Sequence, residues 1–151
     1  METKSLPTAY DYLAPDGSEI RLLPSVKGGG LAHCTLPGRT TSAAVAHKTV
    51  EEIWYFLTGN GEVWRREGAS GDGTTVRVGP GVSLTIAPGT QFQFRNRGDG
   101  PLTFLIATMP PWPGPAEATA VANHWAPGKK EAADPTDEGY CEVCKGPCMG
   151  H

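Results

Sequence analysis

From Glu19 to Thr108 the chain is a succession of short apolar runs cut by glycine and proline, and no stretch in it keeps a helical period. Strands are predicted at Glu19–Leu23, Gly30–Leu36, Ile53–Leu57, Glu62–Arg66, Thr74–Val78, Ser83–Ile86, Gln91–Arg95 and Leu102–Thr108. The Gly59-Asn60-Gly61 turn between the third and fourth of these predicts a hairpin. Alternation along a strand sends successive side chains to opposite faces. Glu52, Trp54 and Phe56 therefore share one face, as do Phe92, Phe94 and Asn96, while Gln91, Gln93 and Arg95 point the other way. Many short strands at close spacing indicate a closed or double-sheet all-β architecture.

After Met109 the pattern changes. Pro110 to Pro115 reads as a stiff extended segment along the barrel wall, with Trp112 as a packing anchor. Residues 116–125 read as a short helix or an extended arm in which His124 is a surface or packing residue, and residues 126–139 read as a polar linker. The domain reading is a β-barrel with its N-terminal strand over residues 1–115, and a Pro-rich, largely irregular C-terminal extension over 116–151.

Composition narrows the function classes. Twenty Gly and fourteen Pro in 151 residues favour turns over long helices. A net charge of −3 gives no basic excess, which argues against nucleic acid as a partner. No apolar run is long enough for a membrane span, and the first residues lack the apolar core of a signal peptide, so a cytoplasmic protein with reduced thiols is expected.

Two segments carry candidate chemistry within the strand-rich region. In the first, His47 is followed after four residues by Glu52 and after six more by Gly59; in the second, Gly81 precedes Ala87-Pro88-Gly89, Phe92 and Asn96. Their order and spacing resemble the two motifs of the cupin family. The resemblance implies a jelly-roll β-barrel whose pocket is lined by residues of both motifs. Family metal sites use three histidines and a glutamate; carried over by position these are Val45, His47, Glu52 and Phe92, so two of the four donors remain. The resemblance also implies a pocket walled by Trp54, Phe56, Phe92 and Phe94 beside His47 and Glu52, suited to an aromatic or apolar small molecule.

Three readings of that pocket stay open: a hydrogen-bonded polar pair without metal, a metal-free acid–base pair, or a rebuilt metal site. For the last, His33 or its neighbour Cys34 supplies a third donor, giving His47, Glu52 and His33 as a barrel metal set, with Glu51 replacing Glu52 if the strand slips. In the acid–base reading His47 moves a proton and Glu52 orients it, as in metal-free cupin-like sugar epimerases and isomerases. Family resemblance favours an enzyme of isomerase, dioxygenase, cyclase or decarboxylase type, with a non-catalytic ligand-binding barrel as the alternative. It also implies a homodimer, for which Ile53, Tyr55 and Leu57 offer outward apolar positions.

The tail is a separate signal. Cys141, Cys144, Cys148 and His151 fall within eleven residues and supply a soft Cys3His donor set. Zinc is the first expectation, with copper(I) or an iron–sulfur cluster behind it, formed within one chain, across a dimer or at the barrel mouth. The bland alternatives are a disordered tail with reduced thiols or a Cys141–Cys144 disulfide. On this reading metal handling by the tail is a third function class.

Overall fold

The computed structural model describes residues 1–69 and 71–129, together with the backbone of Tyr140–Cys141 and Gly146–Pro147. The strands in chain order are β1 (Tyr12–Leu13), β2 (Glu19–Val26), β3 (Gly29–Leu36), β4 (Thr40–Thr41), β5 (Val45–His47), β6 (Glu51–Thr58) and β7 (Gly61–Glu67). They continue as β8 (Thr74–Val78), β9 (Ser83–Ile86), β10 (Thr90–Asn96), β11 (Leu102–Met109), β12 (Ala118–Ala120), β13 (Gly128–Lys129), β14 (Tyr140–Cys141) and β15 (Gly146–Pro147). One turn of 3-10 helix, Pro115–Glu117, precedes β12. No helix among the described residues is long and apolar enough to cross a membrane.

Two antiparallel sheets face each other. The first runs β1-β2-β3-β11-β6-β9, and the second runs β12-β5-β10-β4-β13 with β7 on the other edge of β10 and β8 beyond it. Alternation builds the core: on β6, Glu52, Trp54 and Phe56 are buried while Glu51, Ile53 and Tyr55 are exposed. Residues Leu102, Phe104, Ile106 and Thr108 of β11 and Phe92, Phe94 and Asn96 of β10 complete the inward faces. This is a jelly-roll barrel, the fold the strand pattern and its resemblance imply.

The hairpin expected at Gly59–Gly61 does not form. β6 is flanked by β11 and β9, and β7 by β10 and β8, so the turn carries the chain from one sheet to the other. The glycine signal marks a reversal without saying which neighbour is paired. Gly59 has φ +99°, and a Cβ there would sit 2.7 Å from Leu102 Cα and 2.8 Å from the Pro101 carbonyl oxygen. A side chain is excluded both by conformation and by space. Asn96 locks the opposite turn: its Nδ2 donates to the carbonyls of Leu36, Pro37 and Gly100, and its Oδ1 accepts from Gly98 N–H.

The arm after residue 115 is extended rather than α-helical, and it adds strands to the barrel. β12 pairs with β5, and β13 with β4. Gln93 points outward as alternation requires, yet it is fully buried because the arm covers it. Its Nε2 donates to the carbonyls of Ser42 and Trp125, and its Oε1 accepts from the backbone N–H groups of His124 and Trp125. His124 stacks on Trp64 at 4.8 Å, and Arg95 lies 4.2 Å from the Trp125 ring centroid. The side chains of Cys141, Cys144, Cys148 and His151 lie outside the described residues.

Candidate functional site

Between the sheets lies a cavity of about 300 Å³, at the lower end of the range for small-molecule pockets. Its aromatic wall is Tyr12, Trp54, Phe92, Phe94, Phe104 and Trp112. Its polar groups include Asp16, Ser18, Cys34, His47, Glu52 and Thr108. The order of the strands explains the gathering. β5 ends at His47 and β6 begins four residues later, so one tight connection delivers His47 from the second sheet and Glu52 from the first. Glu117 clamps that connection: its carboxylate accepts from the backbone N–H groups of Thr49 and Val50 and from the Thr49 hydroxyl. Those bonds, with the Thr49 N–H first, hold the Glu117 carboxyl below its ordinary range.

His47 and Glu52 converge without bonding. His47 Nδ1 is 3.8 Å from Glu52 Oε1, beyond hydrogen-bond range, and Nδ1 has no partner among the described residues. The ring is 6% exposed and is met edge-on by Phe92 at 5.1 Å and Trp112 at 5.0 Å. Glu52 Oε1 accepts a hydrogen bond of 2.9 Å from Trp54 Nε1. Desolvation moves the two groups in opposite directions. Burial lowers the His47 pKa from 6.5 to about 4, with the charge of Glu117 opposing. Burial raises Glu52 from 4.5 to about 7, against the Trp54 hydrogen bond, and the charge of Asp16 adds to the rise. Near neutral pH the imidazole is uncharged and the carboxyl is poised between its two forms.

The other anticipated pocket residues divide. Trp54, Phe92 and Phe94 line the cavity. Phe56 is fully buried in the adjoining core, where it packs against Trp54 and Phe104. His33 stands on the opposite face of the first sheet, paired in register with Leu105 and Arg21, and Cys34 takes the cavity side. Burial and the neighbouring Arg21 charge lower the His33 pKa, whereas burial and then Asp16 hold the Cys34 thiol well above its ordinary value. Glu51 is exposed.

Three site residues escaped the sequence. Trp112 was expected as a packing anchor only, yet it lines the cavity. Tyr12 and Asp16 come from an N-terminal segment that only the folded chain brings there, held by Ala43 N–H donating to the Asp16 carbonyl at 2.8 Å.

The residues present do not fit a barrel metal. Val45 and Phe92 occupy two donor positions of the family template, His33 is behind the sheet, and Glu52 Oε1 is engaged by an indole N–H. Among the described residues no three His, Cys, Asp or Glu side chains converge as a metal-binding group. A single neutral imidazole and one carboxylate fall short of the three or so protein donors of open metal sites.

The two-sheet jelly-roll encloses an aromatic pocket into which one His and one Glu project. The chain belongs to the cupin family: the profile described as "Cupin domain" matches residues 32–108. An uncharacterized protein of Methanocaldococcus jannaschii, MJ1618, is 32% identical over 118 residues, covering 72% of this chain and 90% of that protein. Among solved structures, a predicted oxalate decarboxylase from Thermotoga maritima superposes with a TM-score of 0.52 at 24% identity, over 61% of this chain and 79% of that one. The capsular polysaccharide assembling protein CapF of Staphylococcus aureus gives a TM-score of 0.65 at 14% identity, over 79% of this chain and 32% of CapF. The cupin domain of Drosophila melanogaster CENP-C gives 0.55 at 13% identity, over 60% of this chain and 68% of that domain. At these identities the structural likenesses speak for the fold alone.

Proposed function

We propose that the barrel is a metal-independent proton-transfer enzyme, of isomerase type, acting on a small molecule with an aromatic or apolar body. The observation that supports this most is the buried pair whose pKa values are driven apart, Glu52 to about 7 and His47 to about 4. Two titratable neighbours separated in this way carry distinct acid–base roles. In this scheme the Glu52 carboxylate takes a proton from a carbon beside a carbonyl. The neutral His47 imidazole donates a hydrogen bond to the carbonyl oxygen as it gains charge. Glu52 then returns the proton to the opposite face of the same carbon or, where the enolate is conjugated with a double bond, to its γ-carbon, and the carbonyl re-forms as the His47 hydrogen bond relaxes. Trp54, through its N–H on Oε1, fixes the orientation of the carboxyl. This assignment exchanges the roles expected from the sequence: Glu52 moves the proton and His47 polarises.

The test is hydrogen exchange. Candidate metabolites that raise the melting temperature are incubated with the protein in D2O and recovered. Deuterium at a carbon is expected with wild type and not with Glu52→Gln. A ligand that binds and is recovered without deuterium favours the second reading, a ligand-binding barrel without turnover.

The tail is proposed separately as a zinc site on its Cys3His composition. Elemental analysis of untagged protein should find about one zinc per chain in the full-length form and none in a form ending at Asp137. Equal metal in both forms excludes the tail as the site.

A further inference from the structure

We infer that the cavity selects ligands carrying an ammonium group, and that Asp16 is the residue that receives it. The inference rests on the proposed small-molecule pocket and names the class of molecule that enters it. Two acidic side chains, Asp16 and Glu52, line the cavity, and among the described residues no lysine or arginine does. Asp16 is held in place from one side only. Ser18 N–H and the Ser18 hydroxyl both donate to its Oδ1, at 2.9 and 2.6 Å, and Oδ2 receives no hydrogen bond among the described residues.

The charge of Asp16 reaches Tyr12, Cys34 and Glu52, which border the same space. None of these can neutralise it. Asp16 is half-buried with no counter-charge lining the cavity among the described residues; partial burial of an unpaired carboxylate is costly, and a cationic ligand offsets that cost.

A second, independent observation points to a ligand here. His47, 6% exposed and lining the cavity, leaves Nδ1 without a partner among the described residues, and buried polar atoms are ordinarily satisfied. In the neutral ring this nitrogen can meet a polar group of the ligand.

The rest of the lining suits the same guest. Trp54, Phe92 and Trp112 line the same cavity as Asp16, and aromatic rings attract organic cations at their faces. An ammonium at Asp16 leaves Glu52, the neighbouring carboxyl, free to act on an adjacent carbon. Asp16 is therefore a specificity-determining group, and Glu52 the catalytic one.

The experiment compares three probes of one shape by calorimetry at pH 7.5: 2-phenylethylammonium, 2-phenylethanol and 3-phenylpropanoate. Wild type should bind the ammonium at least about tenfold more tightly than the alcohol and should not bind the acid. In Asp16→Asn, which retains an acceptor for Ser18, the ammonium's advantage should disappear while the alcohol's affinity is unchanged. Equal or tighter binding of the alcohol or the acid by wild type overturns the inference and leaves the aromatic pocket standing. An undiminished ammonium advantage in Asp16→Asn overturns the role of Asp16. Failure of all three probes to bind overturns the inference and the small-molecule reading together.

Discussion

Glu52→Gln is expected to lose carbon–hydrogen exchange by at least about 100-fold and, at pH 8, to be more stable than wild type. The two effects share one cause. Burial raises the folded-state pKa of Glu52 from 4.5 to about 7. The unfolded chain releases this proton at its ordinary value and the folded chain only near 7. Between those values the folded state binds more protons, so this group's contribution to stability falls as pH rises and levels off above 7. Glutamine keeps an acceptor for Trp54 Nε1 and carries no charge. The variant should match wild type at pH 4.5 and exceed it by about 3 kcal/mol at pH 8. His47 works in the opposite sense, losing stability as pH falls from 6.5 toward about 4. That contribution is largely common to both proteins and drops out of the comparison. For wild type the exchange rate should rise through about pH 7 as the Glu52 carboxylate forms. Urea melts at the two pH values, with exchange followed by NMR, check both halves.

Trp54→Ala is expected to cost about 3–5 kcal/mol. Trp54 is 1% exposed and its ring meets Phe56, Phe92, Phe94 and Phe104 at centroid distances between 4.7 and 6.2 Å. Removing it leaves a hole among rings that are themselves held by two sheets, with little room to collapse. It also removes the hydrogen bond to Glu52 Oε1, so the carboxyl pKa should rise further. Trp112→Ala is the informative control. Trp112 is only partly buried and borders the cavity without entering the central core. Its loss should cost less than about 1.5 kcal/mol while weakening ligand binding clearly. Denaturant midpoints for the two variants separate core from pocket.

Local patterning exposed most of the barrel before the structure did. The His47–Glu52–Gly59 and Gly81–Asn96 spacings set both inward faces, because side-chain parity along β6 and β10 is fixed by the backbone. Parity alone could not decide between His33 and Cys34. That choice depends on which sheet face β3 turns to the core, which pairing with β2 and β11 determines. The Gly59–Gly61 reversal was equally ambiguous, since a turn signal is local and strand partners are not. Asp16 and Tyr12 carried no motif at all. They enter the cavity through a segment some thirty residues upstream of His47, which no local pattern ties to either motif. The opposite displacement of the His47 and Glu52 pKa values was also invisible in sequence, because burial rather than residue type produces it.

The first motif thus retains a His and a Glu in a pocket whose walls are rings, and the proposed chemistry depends on the state of that carboxyl. A titration of the Glu52 side-chain carboxyl by carbon-13 NMR, assigned by comparison with Glu52→Gln, measures it directly. A midpoint near 7 is expected; a midpoint at the ordinary value near 4.5 would overturn the acid–base assignment.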